Sequence, residues 1–193
     1  MKEIGIVAIG GYEEIGRNMT AIRIGHDIVI MDMGLRLDRV QIHEDTDVER
    51  LRPSELISMG AIPNDSVMKD VDGKVKTIAC THGHLDHIGA ISKLAHKYKA
   101  PIVGTPFTAD LIKQEIEAEK LQGTKNEVVT MNAGKKMQVS SDVELEFIRV
   151  QHSIVDCVIA AIHSPPGVIS SPDFNMYGTL AVALLDNLRP ENS

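Results

Sequence analysis

The chain has 193 residues, 43% hydrophobic and 24% charged, which suits one packed soluble domain and offers no continuous apolar run of membrane-spanning length. A formal net charge of -7 argues against a free-standing nucleic-acid binder, because affinity for a phosphate backbone rests on clustered Lys and Arg. Bound divalent cations, or residues of another domain or chain, would be needed to grip a polyanion.

The opening "MKEIGIVAIGG" is too short and too acidic for a secretory leader and reads as a first strand over Ile4 to Ile9, hence a cytoplasmic protein. "MTAIRIG" and "DIVIMDMGL" flank Gly25-His26-Asp27 and predict a hairpin. "VERLRPSELISMG" is weakly helical, with Pro53 suited to a first turn, and "KVKTIACTH" is a strand that ends where a polar cluster begins. Beyond the cluster, Ile88, Ile91, Leu94 and Ala95 recur at helical spacing, which sends Lys93, Lys97 and Lys99 outward. "APIVGT" predicts a short strand and "TPFTADLIKQEIEAEKLQG" a helix opened by Thr105-Pro106 and closed near Gly123. Alternating strands follow through "EVVTMNAGKKMQVSSDVELEFIRV", "CVIAAIHS" and "GVISS". Strands first, then strands interleaved with helices, indicate an α/β sandwich; no glycine fingerprint of a Rossmann or P-loop nucleotide site is present. Cys80 and Cys157 sit in apolar runs and read as buried free thiols.

The segment "THGHLDH" places His82, His84, Asp86 and His87 within six residues at a strand end. Residues i and i+2 of an extended segment project to one side, so His82 and His84 can share a focus. Asp86 and His87, rounding into a helix, can face a second. Burying such groups without a metal would leave donors and charges uncompensated. Imidazole nitrogens with a carboxylate oxygen are the usual donors to zinc, and two ions ~3.5–4 Å apart suit phosphoryl or acyl hydrolysis. The remaining histidines read as non-catalytic: His26 in a turn, His43 in an acidic loop, His96 on the outer part of a helix, His163 beyond a strand.

The spacing His-x-His-x-Asp-His resembles the metallo-β-lactamase superfamily signature. "AIGGYEEIGRNMT", "MDMGLRLD", "THGHLDHIGA" and "VQHSIVDCVIAAIHSPPGVI" narrow the resemblance to the archaeal and bacterial ribonuclease J branch of the β-CASP nucleases, over most of residues 4 to 174. The resemblance implies a metallo-β-lactamase-type αββα sandwich, N-terminal portion only, with the β-CASP domain absent and the chain truncated. It divides the chain into an incomplete metallo-β-lactamase-type domain over 1–175 and a divergent tail over 176–193. It implies two zinc ions, with manganese as an alternative: one held by His82, His84 and His152, the other by Asp86, His87 and Asp173. Asp86 and His87 carry the catalytic role in that scheme, Asp32 is an outer group that orients the site, and Glu14 and Asn18 lie on a loop beside it. The implied activity is 5'-to-3' hydrolysis of RNA phosphodiesters by a metal-bound hydroxide.

Two departures bear on this expectation. Pro172 precedes Asp173 where relatives carry a Gly-Asp-Phe-Lys-type segment, and proline removes a backbone donor there. After Phe174 the sequence no longer aligns with the family. A partial sandwich would expose apolar faces and a sheet edge, which leaves room for a homo-oligomer or a missing C-terminal half. The alternatives are a metallo-hydrolase of small esters or thioesters, and a zinc-binding remnant without catalysis.

Overall fold

The computed structural model describes residues 2–41, 50–119 and 124–170; Asp173, His43 and the tail over 176–193 lie outside them. Its plan is set by β3 (Asp27–Met31), whose alternate residues serve two cores. Ile28 and Ile30 pack into one apolar cluster with Leu56, Ile88, Ile91, Leu94 and Ile112, whereas Val29 and Met31 enter a second with Leu145, Phe147, Val158 and Ile162. A strand covered on both faces reads as a continuous hydrophobic run, and "DIVIM" does.

Six strands form the first sheet, in chain order from β1 to β6. β1 (Ile4–Gly10) and β2 (Met19–Ile24) pair antiparallel, and β2 meets β3 through the Gly25-His26 turn, with Gly25 at φ 60°. Thereafter β4 (Lys74–Ala79), β5 (Ile102–Gly104) and β6 (Val128–Thr130) join in parallel, which requires crossovers, and helices supply them. These are α1 (Leu37–Gln41) and α2 (Pro53–Ser58) before β4, α3 (Leu85–Ile88) and α4 (Ile91–Leu94) before β5, and α5 (Pro106–Ala118) before β6. The second sheet is antiparallel, in the order β10 (Gly167–Ser170), β9 (Val158–Ser164), β8 (Glu144–Arg149), β7 (Lys136–Gln138). Helices, first sheet and second sheet thus form α, β and β layers of the sandwich. Among the described residues no helix is long and apolar enough to cross a membrane.

Several expectations are corrected. The helix after the polar cluster is broken at Gly89 into two short helices and a 3-10 turn. Lys93 does not face outward: it is buried, with Nζ 2.8 Å from Glu119 Oε2 and 2.9 Å from the Leu51 carbonyl, because a charge this deep is stable only when paired. α5 ends at Ala118, short of Gly123. The alternating strands are divided between the sheets, β6 closing the first and β7 lying at the edge of the second. His163 lies within β9, with Nε2 2.6 Å from Glu146 Oε2 on the neighbouring strand. Cys80 and Cys157 are free and buried, and burial pushes the Cys157 thiol up to about 12.

Candidate metal centre

The parallel strands of the first sheet end at one rim, and β4 carries the chain there. Cys80 still donates its N–H to Val103, after which Thr81 and His82 continue extended and buried. His84 remains extended at φ -71° and ψ 144° just before α3, so it falls on the same side as His82. His82 Nε2 lies 3.0 Å from His84 Nδ1. His152 comes from the loop between β8 and β9, and its Nε2 is 3.3 Å from that same His84 nitrogen. The donor atoms of the three imidazoles all lie within 4.8 Å of one another. Two anchors at the start of α5 fix the His152 loop: Thr105 Oγ1, just before the helix, donates to the Asp156 carbonyl at 2.8 Å, and the Phe107 N–H reaches Asp156 Oδ2 at 3.4 Å.

Asp86 and His87 are turned by α3 to an adjacent position, with His87 Nε2 3.5 Å from Asp86 Oδ2. Asp32, at the end of β3 with a left-handed φ of 58°, is buried beneath both groups. Its Oδ1 accepts the Thr81 N–H at 2.8 Å and its Oδ2 lies 2.8 Å from His87 Nδ1. The Thr81 hydroxyl is 2.9 Å from Asp32 Oδ2 and 3.0 Å from His82 Nδ1. A carboxylate only accepts, so the hydroxyl hydrogen goes to Asp32 and its lone pair accepts from His82 Nδ1–H. The same logic puts a proton on His87 Nδ1. Both Nε2 atoms thereby keep their lone pairs on the side away from Asp32, and this is the tautomer a metal ligand needs.

For His82 and His152 the electrostatics agree. Burial, with the neighbouring imidazoles His87, His84 and His152, pushes His82 down to about 2, which keeps it neutral. Burial also lowers His152, helped by His84. For His87 burial acts downward but is outweighed by the charge and hydrogen bond of Asp32, so the charged ring is favoured and a metal bound there would take the place of its second proton.

On the loop between β1 and β2, Asn18 reaches the centre: its Nδ2 is 2.9 Å from the Asp86 carbonyl and 3.2 Å from His87 Nε2. Glu14 does not. Its Oε2 is taken by Arg36 Nη1 at 2.8 Å and Arg17 Nη2 at 3.1 Å, which holds the loop down; these partners and the Gly11 N–H outweigh burial and lower its pKa. Thr81 was not picked out from sequence. Its signal was position, between a buried strand and the first histidine.

The three nitrogens suit a metal. With bonds of about 2.0–2.1 Å, a tetrahedral zinc would set nitrogens ~3.3 Å apart, close to the spacings from His84, and three protein donors leave a fourth position open.

A two-sheet sandwich with its histidines on the rim of the parallel strands defines a fold of the metallo-β-lactamase type with a candidate metal site. Residues 61–161, more than half of the chain, match the beta-lactamase superfamily domain, and the chain belongs to that superfamily. It is 54% identical over 167 residues to Ribonuclease J of Methanocaldococcus jannaschii and 46% identical over 167 residues to Ribonuclease J of Pyrococcus abyssi. Each alignment covers 86% of this chain and 37% of the relative, so the chain spans little more than a third of their length. Among solved structures, a protein of unknown function from Enterococcus faecalis superposes with a TM-score of 0.63 at 16% identity, over 93% of this chain and 44% of that one.

Proposed function

We propose that this chain is the metal-bearing part of a zinc-dependent ribonuclease that hydrolyses RNA phosphodiesters, of the 5'-to-3' exonuclease type. The observation that carries the metal reading is the convergence of His82, His84 and His152 with their donor atoms within 4.8 Å. Similarity to the two archaeal Ribonuclease J proteins supports RNA as the substrate class. In this reading His82, His84 and His152 hold one zinc. Asp86 and His87 hold a second, with Asp173, outside the described residues, as the further ligand. Residues 1–175 are read as one domain, working in the cytoplasm.

When bound, zinc supplies Lewis acidity toward a phosphate oxygen and acidifies water. The rest falls to the protein. Asp32 keeps a proton on His87 Nδ1 and, through the Thr81 hydroxyl, on His82 Nδ1, so that the opposite nitrogens keep their lone pairs for a metal. Burial of His82 and Thr81 keeps bulk water from competing for these hydrogen bonds.

The test combines native mass spectrometry of the metal-loaded chain with cleavage of a 5'-labelled RNA, after chelation and after zinc is restored. Zinc retention and zinc-dependent release of nucleotides from the 5' end are expected. Cleavage that survives chelation would refute the mechanism. Turnover of thioesters but not RNA would move the chain to the small-molecule hydrolases, and zinc binding without turnover would make it a binding remnant.

A further inference from the structure

Both ring nitrogens of His87 are engaged by protein. Nδ1 faces Asp32 Oδ2 at 2.8 Å, and Nε2, the atom a cation would need, faces Asn18 Nδ2 at 3.2 Å. The same amide nitrogen lies 3.4 Å from Asp86 Oδ2, the other donor of this pair, and 2.9 Å from the Asp86 carbonyl. Nδ2 therefore stands before both atoms proposed for the second cation and uses its hydrogens where that cation would place its charge. The three-histidine group is different: its nitrogens face one another.

Asn18 is also built in. Its backbone N–H donates to the Asp86 carbonyl at 3.1 Å, and its carbonyl accepts the Gly34 N–H at 2.9 Å. A Cβ on Gly34 would run into the Asp86 carbonyl, and one on Gly11 would run into Asn18 Oδ1. Two glycines are thus required for Asn18 to press this closely against α3.

We propose that Asn18 is a gate for the second cation. Its side-chain amide satisfies Asp86 and His87 while that position is empty and must be displaced when a cation enters. The two metal positions are consequently unequal, with the three-histidine position filling first. This rests on the dinuclear reading above and adds that the inequality is set by a residue that ligates neither ion.

The experiment is a zinc titration of the full chain followed by native mass spectrometry, with the two dissociation constants fixed by competition against a chromophoric chelator. Asn18→Ala should leave the first constant unchanged and tighten the second about fivefold, the worth of one hydrogen bond. Asn18→Asp, close in shape and able to ligate, should tighten it further. Thermal melts of both variants establish that they fold. An unchanged or weakened second constant in both variants overturns the gate, as does uptake of a single zinc by wild type and variants alike, which leaves the three-histidine site standing. Uptake of no zinc by any of them overturns the dinuclear reading together with the gate.

Discussion

The Thr81 hydroxyl lies 2.9 Å from Asp32 Oδ2 and 3.0 Å from His82 Nδ1, so one buried carboxylate fixes the tautomer of a histidine that it does not touch. It fixes that of His87 directly. Thr81→Val removes the link while preserving shape, and a lost outer hydrogen bond of this kind costs about 10–100-fold in metal affinity. Thr81→Ser should restore most of it. Zinc competition against a chelator measures both; a valine variant with unchanged affinity would show the hydroxyl to be incidental.

The histidines also predict how the metal-free chain responds to pH. His82 is pushed down to about 2 in the fold, whereas an unfolded histidine takes up its proton near 6.5. Between those values the unfolded state carries the extra proton, so stability is lost as pH falls below 6.5, at up to about 1.4 kcal/mol per pH unit from this group. His87 has the opposite sign: its pKa is raised, so its contribution is complete below 6.5 and is lost as pH climbs through the folded value. Urea midpoints in chelator at pH 5, 6.5 and 8 should therefore peak near 6.5. A His82→Gln variant should flatten the acid side, and a wild-type midpoint that holds steady from 6.5 to 5 would contradict the assignment.

How much of this could be read from sequence follows from the range of each interaction. The i, i+2 relation of His82 and His84 is local, and the extended backbone at His84 realises it. The hairpin at Gly25 and the buried strands β3 and β4 are local too, because each residue's alternation is imposed by the pleat. Periodicity failed where a distant charge intervened. Lys93 looks like an outward residue until Glu119, 26 positions away, supplies a partner. The role of Thr81 was likewise hidden, since it depends on Asp32, 49 residues earlier, arriving beneath β4. His152 could be singled out only through the family resemblance, because the loop that places it is pinned by Thr105 and Phe107 on a different layer.

The Lys93 and Glu119 pair makes a prediction of its own. Both side chains are almost wholly enclosed, at 6% and 2% exposure, so removing one partner takes from the other its counter-charge at 2.8 Å. Glu119→Gln should destabilise by roughly 3–5 kcal/mol, whereas Lys93→Met combined with Glu119→Leu should recover most of that, since a well-packed apolar pair avoids the desolvation cost altogether. Chemical denaturation of the two variants decides the matter. A double variant no more stable than the single one would mean that Lys93 is retained for its bond to the Leu51 carbonyl rather than for the ion pair.

Finally, Gly34 tests the packing that holds the centre together. The loop after β3 crosses α3 so closely that a Cβ at this position would overlap the Asp86 carbonyl and crowd the Asn18 backbone N–H. Met33 and Leu35 on either side bond the backbone of His87 and Leu85, so the segment cannot retreat without breaking those hydrogen bonds as well. Gly34→Ala should therefore act on the site through α3. The shift of Asp86 and His87 should abolish uptake of a second zinc, while the three-histidine group, in which His82 follows β4, His152 lies on the loop after β8 and His84 alone borders α3, should still bind one. Native mass spectra of the folded variant read this directly. Two zincs retained at wild-type affinity would mean that α3 moves freely against this loop, and the close approach would then have no bearing on the metal centre.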